Sequence, residues 1–224
     1  MIQDYIVRAV IFANGVLNLA DARAVLRPGD IVIAADGGLR HCQELGVTPA
    51  VVIGDLDSLL PDDIRALQDA DVEIIRYPDR KDQTDLELAL RHASGLEIDE
   101  ILVLGALGAR WDMTIANILL LAAPELTGLT VRLIDSQQEI ILLRGKGKIS
   151  FHGRKGDTLS LLPLGQDARG VTVVGLEYPL ENGDLRFGST CGISNVLIEE
   201  TASVYLQQGL LLCALSHQLP FTSP

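Results

Sequence analysis

Up to about residue 136, short apolar runs alternate with amphipathic stretches: Ile6 to Ala13, Ile31 to Ala35, Ala50 to Ile53, Val72 to Tyr77, Ile101 to Leu104 and Thr130 to Ile134. The runs are almost continuously apolar, as expected of parallel strands with helices on both faces. This pattern predicts an α/β domain over 1–136, a doubly wound and mostly parallel sheet. Beyond it the texture shifts to short runs broken by Gly, Asn and Asp: Glu139 to Leu143, Lys148 to Phe151, Thr158 to Leu162, Val171 to Val174, Leu185 to Phe187, Ala202 to Leu206 and Leu210 to Leu215. These predict an all-β sandwich over 137–224, with a hairpin turn at the Asn-Gly step of Glu181-Asn182-Gly183-Asp184. No internal repeat, low-complexity tract or flexible linker separates the halves.

Composition narrows the partners. The 224 residues are 48% hydrophobic and 21% charged, enough to bury a sizeable core. With 18 basic against 30 acidic residues, the net charge of −12 opposes non-specific binding to nucleic acid or an anionic membrane, so neither is an expected partner. Cys42, Cys191 and Cys213 are odd in number and widely spaced, which suggests neither a disulfide framework nor a zinc site and fits a reducing cytoplasm. Asp4 stands where a signal peptide would be basic, and no apolar run approaches the roughly 18 residues of a membrane span.

The candidate chemistry is acidic. Ala50-Val51-Val52-Ile53-Gly54-Asp55-Leu56-Asp57-Ser58 is a strand ending in two carboxylates at alternate positions, a geometry suited to a hard divalent ion such as Mg²⁺ at the carboxyl edge of an open sheet. The structural alternative is that Asp57 or Ser58 caps a helix beginning at Pro61. Asp36 follows the strand Ile31 to Ala35, and Asp82 and Asp85 follow Val72 to Tyr77. Acids converging from three strand ends would repel one another unless a cation, or a polyphosphate with its metal, joined them.

Other residues bear on that reading. Thr84-Asp85-Leu86-Glu87 has capping-box spacing, which would leave Asp85 in a first helical turn facing the same mouth. Gly105-Ala106-Leu107-Gly108-Ala109-Arg110-Trp111-Asp112 is neither a Walker A loop nor G-x-G-x-x-G, yet its small residues admit an anion and Arg110 offers a phosphate-matched fork. The bland reading is a tight turn with Arg110 paired to Asp112. Asn117 lies among apolar neighbours and either faces the mouth or bonds across helix packing. His41, His92, His152 and His217 stand apart, so a hydrolytic triad has little support. Trp111, Tyr178 and Phe187 could stack on a flat heterocycle or fill core.

Taken together, Ala35-Asp36-Gly37-Gly38, Gly54-Asp55-Leu56-Asp57-Ser58, Lys81-Asp82-Gln83-Thr84-Asp85 and Gly108-Ala109-Arg110-Trp111-Asp112, with Phe187-Gly188 and Ser194-Asn195, resemble the thiamine pyrophosphokinase family along nearly the whole chain. The resemblance implies a catalytic ATP- and Mg²⁺-binding domain over 1–136 and a β-sandwich over 137–224 that contributes to thiamine binding and dimerisation. It implies transfer of pyrophosphate from ATP to the hydroxyethyl oxygen of thiamine, giving thiamine diphosphate and AMP. By the same likeness Asp55, Asp57 and Asp85 hold Mg²⁺, Asp36 supports them, Arg110 and Lys81 stabilise charge, and Asp112 orients groups or accepts a proton. ATP would also meet Gly37, Asp82, Thr84 and Asn117, and thiamine would meet Ser194 and Asn195 at a homodimer interface.

The chain departs from the family pattern at Ala109, where Gly is more usual, and at Met113, where a polar residue is. Tyr178 stands where some relatives carry Trp. Two alternatives remain open at this point. A pyrophosphokinase for another acceptor, such as a hydroxymethyl pterin, would use the same metal and ATP motifs. A nucleotide- or thiamine-binding regulator would keep the pocket without turnover.

Overall fold

A computed structural model describes residues 6–57, 59, 61–108 and 110–218, with only the backbone of Pro61 included. Ser58, one candidate cap, and Ala109 lie outside the described residues. The chain forms two compact units, one running to Ser136 and a second starting at Gln137.

In the first unit β1 (Arg8–Phe12), β2 (Ile31–Ala35), β3 (Val51–Gly54), β4 (Glu73–Arg76), β5 (Glu100–Leu104) and β6 (Thr130–Asp135) lie parallel in the order β6-β5-β1-β2-β3-β4. The helices α1 (Leu19–Val25), α2 (Leu39–Leu45), α3 (Pro61–Asp69), α4 (Asp85–Ser94) and α5 (Trp111–Leu120) occupy the crossovers. Every residue of β1 is buried, Ala9 to Phe12 as an apolar run and Arg8 through its ion pair with Asp30 at 2.7 Å. The chain winds outward from β1 to β4 and then returns to place β5 on the other side of β1. Because such crossovers are right-handed, the reversal puts α4 and α5 on the opposite face from α1 to α3. The chain leaves β1 and β5 toward opposite faces, which makes a crevice at this switch point.

Local signals fix the element ends. Thr84 caps α4, its hydroxyl accepting from the Glu87 amide at 3.2 Å. The helix then buries Leu86, Leu88, Ala89, Leu90 and Ala93 across β1, β2 and β3, each leucine contributing about 2 kcal/mol. Pro61 opens α3, where its missing N–H costs nothing.

The second unit has two antiparallel sheets. One is β12-β9-β14-β7 and the other β11-β10-β13-β8, built from β7 (Gln138–Arg144), β8 (Gly147–His152), β9 (Thr158–Pro163), β10 (Ala168–Val174), β11 (Leu180–Leu185), β12 (Asn195–Val196), β13 (Thr201–Leu206) and β14 (Leu210–Ser216). Their inner faces share one core that includes Ile141, Phe151, Leu159, Val171, Leu197, Val204 and Leu211. In the leucine-rich β14, alternate residues Leu211, Cys213 and Leu215 point into that core, so this segment is first of all a sandwich strand.

The hairpin turn falls elsewhere than the Asn-Gly step suggests. Asn182 and Gly183 lie within β11, where Val171 faces Gly183 but Val173 faces Leu180, so the pairing slips and the step forms a bulge. Asn182 takes a positive φ of 47° and its amide donates to Thr172 Oγ1, which suits a bulge as well as a turn.

Asp157, 1% exposed, ties the sandwich's end together. Its Oδ2 accepts from the Arg154 amide and from His217 Nδ1, each at 2.8 Å, and its Oδ1 accepts from the Gln218 amide at 3.0 Å. All three cysteines are free thiols, with Cys42 and Cys213 buried and Cys191 exposed.

Candidate active site

The switch-point crevice of the first unit is a cavity of about 360 Å³, a size that fits a small-molecule ligand. Its floor is made by the ends of β1, β2 and β5 and its wall by the starts of α4 and α5. Two loops close its base by direct backbone contact: the Gly15 amide donates to the Gly105 carbonyl at 2.8 Å. A Cβ on Gly15 would sit 2.2 Å from that oxygen, so only glycine permits the approach.

At one end of the crevice, carboxylate oxygens of Asp36, Asp55 and Asp57 lie within 4.8 Å of one another. Asp36 reaches this position through a 3₁₀ turn with a φ of 46°, and Gly54 leaves room beside its side chain. Asp55 and Asp57 are brought round by Leu56, buried with a φ of 59°, and the Asp57 amide donates to Asp55 Oδ1 at 3.2 Å. The two acids therefore converge through a left-handed turn, not through simple alternation along a strand.

Asp36 Oδ1 is buried with no hydrogen-bond partner. Burial pushes the Asp36 carboxyl above its ordinary range; the Gly37 amide pulls the other way, and the charges of Asp85, Asp55 and Asp57 add to the rise. A bare acidic cluster of this kind is short of positive charge. Its donors are all hard oxygens, the set that suits Mg²⁺, and a cation there would satisfy the partnerless oxygen.

Lys81 supplies one cation. Its ammonium sits 2.9 Å from Asp85 Oδ1 and 3.8 Å from Asp55 Oδ2. Desolvation would lower the Lys81 pKa, but its bond to Asp85 and the charges of Asp85, Asp55 and Asp36 outweigh that and raise it, so it stays charged. Asp85 thus faces Lys81, and Asp36 joins Asp55 and Asp57 in the convergent triple. Thr84, Asp85 and Asp36 all line the crevice. Gly37 is buried in the Asp36 turn, and Asp82 is exposed outside the lining.

Arg110 stands at the other rim, just before α5. Its Nε donates to Asp112 Oδ1 at 3.2 Å and its Nη2 to Asp112 Oδ2 at 2.6 Å, so the guanidinium is held as a flat fork. The pair is exposed to solvent. The Arg110 bond holds the Asp112 carboxyl below the usual carboxylate range, which makes it a poor proton acceptor. Asn117, 5% exposed, lines the crevice and donates through Nδ2 to the Ala106 carbonyl at 2.7 Å, leaving Oδ1 without a partner.

Ser194 and Asn195 belong to the second unit. Ser194 is exposed with a φ of 57°, and its amide donates to Ser160 Oγ. The Asn195 side-chain amide bonds one neighbour twice, Oδ1 accepting from the Tyr178 amide at 3.0 Å and Nδ2 donating to the Tyr178 carbonyl at 2.7 Å. It fixes the backbone of Tyr178, whose ring is exposed, as are those of Phe187 and Trp111.

Two crevice residues escape the sequence patterns, Asn14 and Gly15. Asn14 follows β1 and lines the cavity, yet no local motif marks it. Only the strand order, which makes the end of β1 one side of the switch point, could have singled it out.

Comparison with known proteins accords with this geometry. Residues 22–133 match the family model described as "Thiamin pyrophosphokinase, catalytic domain", and residues 146–211 match "Thiamin pyrophosphokinase, vitamin B1 binding domain". The chain is 34% identical over 181 residues to the thiamine pyrophosphokinase of Bacillus subtilis (strain 168), covering 80% of this chain and 84% of that protein. It is 29% identical over 172 residues to thiamine pyrophosphokinase 1 of Oryza sativa subsp. japonica, covering 73% of this chain and 64% of that one. The crystal structure of the Bacillus subtilis thiamine pyrophosphokinase superposes with a TM-score of 0.84 at 30% identity, over 95% of this chain and all of that one. With two family domains matched in order and a relative at this identity over most of both chains, the chain belongs to the thiamine pyrophosphokinase family.

Proposed function

We propose that the chain transfers the pyrophosphoryl group of ATP to the hydroxyethyl oxygen of thiamine, giving thiamine diphosphate and AMP. The observation that carries this reading is the partnerless, buried Asp36 Oδ1 converging with Asp55 and Asp57 at the switch-point crevice of a family member. Asp36, Asp55 and Asp57 would hold Mg²⁺, which when bound neutralises charge on the ATP phosphates.

The chain's own residues do the rest. Thr84 and the Gly105 to Gly108 loop border the nucleotide, and the partnerless Oδ1 of Asn117 accepts a hydrogen bond from it. Lys81 keeps Asp85 and Asp55 from repelling the phosphates. The thiamine oxygen attacks the β-phosphorus, the bond from that phosphorus to the α–β bridging oxygen breaks, and AMP departs with the electron pair. Arg110 offers the Nη1/Nη2 edge that Asp112 leaves free to the charge that builds as that bond breaks. Asp112, held ionised by Arg110, orients the guanidinium and leaves the hydroxyl proton to solvent or the departing phosphate oxygens.

The net charge of −12 favours a cationic acceptor such as thiamine over an anionic one. Tyr178, presented by Asn195, is the proposed ring to stack on it, beside the Ser194 hydroxyl. A homodimer is supported by the exposed stripe Trp111, Ile115 and Leu119 at four-residue intervals along α5, and sedimentation of Ile115→Asp as a monomer would tie assembly to that face. A reducing, cytoplasmic setting is supported by the free thiols; among the described residues no helix is long and apolar enough to cross a membrane.

Incubation with Mg²⁺ and ATP, and with thiamine or a hydroxymethyl pterin as acceptor, tests the reading. AMP should accumulate with thiamine alone. Accumulation with the pterin instead would reassign the acceptor, and binding of ATP without AMP would mark a regulator.

A further inference from the structure

The side chain of Asn14 has its oxygen already committed. Arg40 Nη2 lies 2.9 Å from Asn14 Oδ1, and a guanidinium is donor-only, so the oxygen must be the atom that faces it. The amide plane also lies flat against Gly37, since a Cβ there would fall 2.4 Å from Asn14 Cγ and 2.5 Å from its Nδ2. The next residue is held as firmly: His41 Nε2 is 2.9 Å from the Gly15 carbonyl, which can only accept, and the Gly15 amide reaches Gly105. Two successive residues of α2, Arg40 and His41, therefore clamp the loop after β1 to the turn that carries Asp36.

With Oδ1 turned to Arg40, the orientation of the amide is set, and Nδ2 carries its pair of N–H donors on a residue that lines the crevice next to Asp36. Beside Lys81 and Arg40, the charged groups here are the acids Asp36, Asp55, Asp57 and Asp85. We propose that Asn14 is a substrate-contacting residue whose Nδ2 donates to a phosphate oxygen of the bound nucleotide, with Arg40 as the positioning residue that fixes which end of the amide faces the crevice. The inference rests on the reading that this crevice takes a nucleoside triphosphate.

Asn14→Asp separates this role from a structural one. The carboxylate keeps, and strengthens, the bond to Arg40, so a residue that merely staples the loop would tolerate the change and melt no lower than wild type. A phosphate donor would not, because the change replaces two N–H groups by an anionic oxygen. Turnover with ATP and thiamine, and calorimetric titration with Mg²⁺·ATP, should both fall on the order of 10–100-fold in Asn14→Asp, with unchanged or higher melting temperature. Arg40→Ala, which frees the amide to flip, should lose less, and Arg40→Lys should recover part of that loss. Wild-type kinetics and Mg²⁺·ATP affinity in Asn14→Asp would overturn the assignment while leaving the activity in place. If wild type forms no AMP, the activity fails instead, and the titration still decides: equal Mg²⁺·ATP affinity in the two proteins, or none in either, overturns the assignment, and a loss confined to Asn14→Asp upholds it.

Discussion

Lys81 Nζ and Asp85 Oδ1 lie 2.9 Å apart, so the acid at the start of α4 faces its own lysine. The same ammonium lies 3.8 Å from Asp55 Oδ2, so Lys81 bridges Asp85 to the acids that converge, Asp36, Asp55 and Asp57. Lys81→Met should leave Asp85 uncompensated beside Asp36 and Asp55. Mg²⁺ should then bind more tightly while turnover falls on the order of tenfold or more, as a charge-stabilising group is lost. Mg²⁺ titrations of binding and of rate, run side by side, check both directions; a rate loss with weaker Mg²⁺ binding would show that Lys81 organises the metal site instead.

The acidic triple makes a prediction that does not depend on activity. Mg²⁺ should raise the melting temperature of the wild type, since a ligand that binds only the folded state stabilises it. Asp36→Asn, Asp55→Asn and Asp57→Asn should each melt at or above the metal-free wild type, through relief of repulsion, and gain little from Mg²⁺. Turnover in Asp55→Asn or Asp57→Asn should drop on the order of a hundredfold or more. Near-normal turnover at saturating Mg²⁺ in the folded double variant would remove these residues from the site.

Arg110 is exposed and held by Asp112, so its replacement should leave stability unchanged. Arg110→Lys keeps the charge and loses the fork. Its rate at saturation should fall more than its apparent affinity for ATP, and Arg110→Ala should fall further in the same sense. Steady-state kinetics check this. A raised Michaelis constant with an unchanged maximal rate would make Arg110 a uniform binding contact.

Asp157 should govern acid stability. Burial alone would raise its pKa, but the amides of Arg154 and Gln218 and the bond from His217 outweigh burial and lower it. A carboxyl depressed on folding stabilises the protein in full above its unfolded value of about 3.9 and loses that contribution as pH falls through the depressed folded value. Asp157→Asn sets an NH₂ against converging N–H donors and should cost about 2–4 kcal/mol at neutral pH. Denaturant unfolding across pH should show the gap between variant and wild type closing in acid.

Much of this was legible in the sequence, and the misses have physical causes. Strands buried on both faces, such as Val51–Gly54, announce themselves as unbroken apolar runs, and the acids at their ends were visible with them. Leu210 to Leu215 was legible as a strand but not which face it buries, because apolar residues at nearly every position hide the alternation that burial imposes on Leu211, Cys213 and Leu215. Asn182-Gly183 misled because a positive φ serves a bulge as readily as a turn. The convergence of Asp55 with Asp57 was foreseen, but its route through a left-handed Leu56 was not, since nothing local marks a leucine for that conformation. Asn14 depends on strand order and on a partner 26 positions away, and no window of sequence holds both.

Transfer of a two-phosphate unit in one step leaves its signature in the nucleotide product. With Mg²⁺, ATP and thiamine, AMP and thiamine diphosphate should form in equal amounts, with no ADP. ADP with thiamine monophosphate would mean transfer of the γ-phosphoryl group alone and would contradict it.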